Sequence, residues 1–165
     1  MQIHGAQAHP CSIADVETVE LLLFRLGADQ HGQRSELFGL HVANVREIVA
    51  MPQVAALAGS AAHVLGVVKL RGKVLQVLDL PAMTGCVSAS GLPILLVTEV
   101  ADATYACGVE SVEEIVLLEA DRIVARQHGA TGGIVAAIAC LDDTASSARL
   151  VQVLDIATLV RGFTA

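Results

Sequence analysis

The chain is predicted to be all-β, built as two small barrel-like lobes, and three observations carry that prediction. Its 165 residues are 54% hydrophobic but only 2% aromatic, so Val, Leu, Ile and Ala must fill the core, a set that suits strands. The apolar residues come in many short runs punctuated by Gly, Pro, Asp and Ser, the pattern of strands and turns rather than of long helices. Finally, Gln76-Val77-Leu78-Asp79-Leu80 recurs as Gln152-Val153-Leu154-Asp155-Ile156, 76 positions later, each time followed by a small helix-compatible segment. A strand-to-helix corner placed alike in each half favours two lobes over one large sheet. Lobes of that size have small cores and should pack on each other.

Residues 1–18, with His4, Gly5, His9, Pro10 and Ser12 and little periodicity, read as a leader outside the core. Residues 20–26 are a strand, 27–35 a polar loop, and 36–42 a second strand. Residues 43–49 turn through one helical cycle and re-enter a strand, because their β-branched side chains disfavour a longer helix. Pro52 and the small residues around Gly59 then break the pattern.

Residues 66–80 are the centre of the chain. Two Val- and Leu-rich runs flank Arg71-Gly72, which suits a tight reversal and predicts a buried hairpin. A guanidinium at the corner of a rigid hairpin is held at little entropic cost and can offer five donors to a partner; the plain alternative is a solvated turn residue. Residues 80–84 then form a short helix that stops at Gly85, with Asp79 as its N-cap and Asp155 as the matching cap in the second half. Strands follow at 93–98, 104–109, 112–118 and 133–141, and the last two are separated by a polar stretch holding Asp121, Arg122, Gln127, His128 and Gly129.

Composition excludes several functions. A net charge of -7 argues against a sequence-independent phosphate binder, so nucleic acid is not an expected partner. The longest apolar run, 134–141, is far short of a spanning helix, and direct membrane insertion is not expected. No secretory leader or transit peptide is legible, so a cytoplasmic location follows by default. Cys11, Cys86, Cys107 and Cys140 stand far apart with no paired spacing, which suits reduced thiols better than disulfides or a zinc site. The chain has no GxxxxGK[ST], GxSxG, HExxH or GxGxxG, and His4, His9, His31, His41, His63 and His128 are scattered, His41 alone lying in a strand as a half-buried, hydrogen-bonded imidazole. Asp79 and Asp155 read as caps rather than as an acid–base pair, and Glu113-Glu114 as a solvated edge that discourages aggregation. No catalytic residue, metal site or cofactor is therefore expected. The alternative of another class is a small β-barrel enzyme or metal binder using Asp79, His41 and a cysteine.

Several stretches carry a family resemblance: Leu37-Phe38-Gly39-Leu40-His41-Val42, Val45-Arg46-Glu47-Ile48, Val64-Leu65-Gly66, Leu70-Arg71-Gly72 and Val77-Leu78-Asp79-Leu80. In order and spacing they resemble the CheW adaptors of bacterial chemotaxis, and the likeness continues to the closing residues 150–159. Leu95-Leu96-Val97-Thr98-Glu99 and the residues from Ser111 to Val116 are also similar to CheV, which joins such a domain to a phosphate receiver; a twitching-motility system is a further variant. The resemblance implies a CheW-like domain over 19–163, with two intertwined five-stranded barrels of the Src-homology type and a few short helices. It implies a non-enzymatic scaffold that ties the cytoplasmic tip of methyl-accepting chemoreceptors to the regulatory domain of the histidine kinase CheA, in arrays at the inner membrane. Its receptor-binding groove maps onto Val45, Glu47, Gly66 and Arg71. Lys69 stands where the family commonly has Asn, so a cation pointing into the groove would alter which receptors fit.

Overall fold

The computed structural model describes residues 16–29, 31–33, 37–88, 90–126, 133–142 and 149–161. Residues 1–15 of the expected leader, with His4, His9 and Cys11, lie outside that set, as do residues 34–36 and the stretch 127–132 with Gln127, His128 and Gly129.

The chain enters as β1 (Thr18–Arg25) and β2 (Leu37–His41), then passes through a 3-10 turn (Val42–Asn44) into β3 (Val45–Ala50). The central hairpin is β4 (Val64–Leu70) and β5 (Lys73–Asp79), followed by α1 (Leu80–Thr84). Next come β6 (Ile94–Val100), β7 (Ala103–Val109), β8 (Ser111–Glu119) and a 3-10 turn (Ala120–Arg122). The chain closes with β9 (Ile123–Ala125), β10 (Val135–Cys140), β11 (Leu150–Leu154) and α2 (Ile156–Arg161). Among the described residues these strands form two sheets, ordered β8-β1-β2-β11-β10-β9 and β3-β6-β7-β5-β4. The fold is thus all-β and two-lobed, as the sequence predicts. The first sheet has six strands because β9 lies in the stretch read as polar; three residues are too few to show alternation.

The lobes interlock because β1 and β2, from the start of the chain, complete the sheet whose other strands come from its second half. The Leu21–Phe24 run is buried on both faces, which explains why it reads as continuous rather than alternating. Leu21 and Leu23 join Leu37, Leu118, Ala139, Val151 and Val153 inside one lobe. Leu22 and Phe24 turn the other way, into a core that also takes Phe38, Leu40, Leu78, Leu80, Leu96, Cys107, Leu154 and Leu159. Because that core draws on both sheets and both helices, it lies between the lobes. The third core, inside the five-stranded lobe, is built from Val68, Leu75, Val77, Leu95, Val97 and Ala106.

The internal echo is the visible part of a pseudo-repeat. Parallel pairing of β5 with β7 sets Val77 against Ala106, and parallel pairing of β11 with β2 sets Val153 against Gly39. One strand further, Ala106 faces Val97 and Gly39 faces Leu23. At the sheet edges, Ile48 of β3 faces Leu96 and Ile115 of β8 faces Leu22, with a β-bulge just before each. The edge strands β3 and β8 are therefore counterparts, and Glu47 corresponds to Glu114.

Two expectations need correction. The hairpin is not buried throughout: Val68, Leu75, Val77 and Leu78 point into cores, whereas Lys69 is exposed and Val74 is 68% exposed, because the outer face of this two-stranded edge meets solvent. His41 is exposed rather than half-buried, since β2 ends there and the chain leaves the sheet in the 3-10 turn.

Candidate functional site

The five residues singled out for binding lie on β3 and on the β4–β5 hairpin. The 3-10 turn carries the chain from one sheet to the other and delivers β3 to the edge of the five-stranded sheet. Val45, its first residue, is partly buried against the core between the lobes. Exposure alternates along β3, so neighbouring side chains serve different contacts: Arg46 forms an ion pair with Glu99 on β6, and Glu47, past the bulge that follows Val45, reaches across the lobe.

Glu47 meets Arg71. The guanidinium donates from Nη2 to Oε1 at 2.5 Å and from Nε to Oε1 and Oε2 at 3.1 and 3.3 Å. β3 and β4 are the two ends of the five-stranded order, so this pair joins opposite edges through side chains where no backbone ladder does. Hydrogen bonding to Arg71 holds the Glu47 carboxyl below its ordinary range, with burial opposing and the guanidinium charge assisting; the same carboxylate raises Arg71.

The turn that presents Arg71 is itself strained. Leu70 pairs with Lys73, leaving Arg71 and Gly72 as a two-residue loop with φ 48° and 77°. Both values belong to a type I′ turn, whose first position usually holds Asn, Asp or Gly. A left-handed arginine costs about 1 kcal/mol or more, and strain of this kind collects at functional positions.

Gly66 lies behind the turn on β4, at φ +148° beside a bulge, and a Cβ there would stand 2.3 Å from the carbonyl oxygen of Ala55. The close approach that requires glycine is thus the chain's own, since Ala55 bridges Val67 through reciprocal backbone hydrogen bonds of 2.9 Å. Lys69 is exposed and lines a shallow open hollow with Gln53, Ala55, Val67, Val68 and Val74. The structure therefore joins Glu47 to Arg71, sets Gly66 and Lys69 along the adjoining strand, and turns Val45 toward the other lobe.

Asp79 and Asp155 cap the two helices. Asp79 Oδ1 accepts from the Ala82 amide at 3.1 Å, while Asp155 accepts from the Ala157 amide at 2.9 Å and from the Thr158 hydroxyl at 2.6 Å. Among the described residues no three His, Cys, Asp or Glu side chains gather as metal ligands.

Sequence reasoning picked out Glu47 and Arg71 separately but not as partners, because they are 24 positions apart and nothing local links them. It also missed the second lobe's version, in which Glu114 of β8 accepts from Arg149 Nη2 at 3.3 Å. The internal echo was the available signal, since it relates the hairpin β4–β5 to β10–β11.

A bulged edge strand clasped by arginine belongs to a two-lobed, all-β fold with short capped helices. The CheW-like domain family matches residues 20–163, and the chain belongs to that family. In fold it is similar to the scaffolding protein TtCheW from Thermoanaerobacter tengcongensis, at 21% identity over 84% of this chain and 90% of that one, with a TM-score of 0.69. No curated protein sequence matches the chain.

Proposed function

We propose that the protein is a non-enzymatic chemotaxis adaptor that couples the cytoplasmic tip of a chemoreceptor to the regulatory domain of the histidine kinase CheA. The observation that carries the reading is the family match over residues 20–163, within which the Leu70-Arg71-Gly72 corner is paired to Glu47. In this reading the chain works by binding alone. A receptor helix lays apolar residues against Val45, Arg71 finds an acceptor on it, and Glu47 sets the charge register. The adaptor would act at receptor arrays beneath the inner membrane. Among the described residues no helix is long and apolar enough to cross a membrane.

Pull-down with receptor signalling tips tests the reading. Arg71→His should weaken capture while the variant keeps its circular dichroism and thermal midpoint, and Lys69→Asn should change which receptor tips are captured. Unchanged capture by a folded Arg71→His would remove the site assignment, and failure of the chain to alter CheA activity in a reconstituted receptor mixture would remove the adaptor role. Gly66→Asp is unsuitable here, because its side chain would strike Ala55 before any partner arrived.

A further inference from the structure

The second lobe exposes an edge of its own. β8 is the outermost strand of the six-stranded sheet, and among the described residues its only ladder partner is β1, which leaves one side of a nine-residue strand unpaired. Ile115 and Leu117 on it are 58% and 63% exposed. Across the ladder Ile115 faces Leu22, Leu117 faces Glu20 and Glu119 faces Thr18, so Ile115, Leu117, Glu119 and Glu20 share one face. Leu117 also walls a shallow hollow with Thr18, Val19, Glu20, His41 and Ala43. A long apolar edge of this kind is a template for another strand.

Charge selects the occupant. Glu113 is taken by Arg25 at 3.0 Å and Glu114 by Arg149 at 3.3 Å, whereas Glu20 and Glu119, which flank Leu117, have no ion-pair partner among the described residues. Pairing β8 with β8 of a second copy would set carboxylates against carboxylates, and like charges placed opposite each other destabilise a ladder. A segment with apolar residues at two successive same-face positions and Lys or Arg at the next same-face position meets no such penalty. We propose that β8 is a docking edge for an extended basic segment of a partner protein, added as a further strand whose apolar residues cover Ile115 and Leu117 and whose cations meet Glu20 and Glu119. The surface belongs to the other lobe from the Glu47–Arg71 pair and does not depend on the adaptor reading.

The probe is an acetylated nine-residue peptide with valine at two successive same-face positions, lysine at the remaining same-face positions and serine between them, titrated against the full chain and followed by hydrogen exchange. Binding should slow exchange of β8 amides, and Leu117→Glu and Glu119→Lys, both at exposed positions, should weaken it at least about fivefold while thermal midpoints stay unchanged. The same peptide N-methylated at the valines that would face β8 keeps its charge but loses the ladder. It should bind at least about tenfold more weakly, as the loss of two or more hydrogen bonds implies. Equal binding of the methylated peptide would reduce the effect to charge attraction and overturn the proposal. So would protection mapping away from β8, or no protection at millimolar peptide.

Discussion

Cys107 is fully buried on β7, and burial pushes its thiol up to about 12 from an ordinary 9.0, with a hydrogen bond to Thr98 acting the other way. The raised value means that the folded chain holds this proton more tightly than the unfolded one. The associated stability is complete below pH 9.0 and is lost as pH rises toward 12. Between pH 8 and pH 10 wild type should lose up to about 1.4 kcal/mol more stability than Cys107→Ala, read from urea midpoints. Native alkylation should mark Cys86 and Cys140, which are partly exposed, well before Cys107. Asp155 behaves in the opposite sense. Burial alone would raise its carboxyl, but hydrogen bonds from the Thr158 hydroxyl and amide and the Ala157 amide, with the charge of Arg161, bring it below its ordinary 3.8. Its contribution is therefore present above that value and lost as pH falls through the lowered one. Asp155→Ala should cost about 1 kcal/mol at neutral pH, the usual worth of an N-cap, and should flatten the acid limb of the stability curve. Both caps were legible in the sequence, because a cap needs only its own residue and the next turn. The reason for Gly66 was not legible, since the carbonyl it accommodates belongs to Ala55 in a segment that reads only as broken pattern.

At the scale of elements, β8 shows how strand alternation divides its faces. Leu117 is 63% exposed and its neighbour Leu118 is 7% exposed, packed with Leu21, Leu23 and Val151. Leu118→Glu would place a charge in that core and should cost about 3 kcal/mol or more, whereas Leu117→Glu should stay within about 0.5 kcal/mol of wild type. Chemical denaturation of the two variants checks the pair; equal losses would contradict the assigned register. The strands were legible wherever apolar runs were bounded by turn residues, as at β5, where Arg71-Gly72 and the cap at Asp79 mark both ends. Their partners were not. The parallel pairing of β2 with β11 joins residues from the two ends of the chain, and periodicity carries no information about such distant neighbours. The clasp between Glu47 and Arg71 was hidden for the same reason, and so was its counterpart at Glu114 and Arg149.

For the whole molecule, the interlocking makes the two lobes one folding unit. β3 to β7 are contiguous and could be imagined as a separate domain, but their sheet shares its inner core with Leu22, Phe24, Phe38 and Leu40 from the strands that complete the other lobe. Neither sheet can open that face without exposing side chains of both. Unfolding should therefore be a single transition, with probes in the two lobes superimposing, even though the chain carries an internal repeat that elsewhere signals separable units. Phe24 gives the sharper test. It is fully buried, stacks with Phe38 at a centroid distance of 6.2 Å and touches the shared core rather than either private one. Phe24→Ala should cost about 3 to 5 kcal/mol, the range for deleting a buried aromatic ring. Because the lost contacts are common to both lobes, hydrogen exchange should quicken equally at Val97 in the five-stranded sheet and at Val151 in the six-stranded one. If exchange quickened at Val151 alone, the lobes would be independent and their shared core only an interface. Equal quickening would mean that any partner bound to one lobe stabilises both, which is the physical requirement for a scaffold that transmits load between two surfaces.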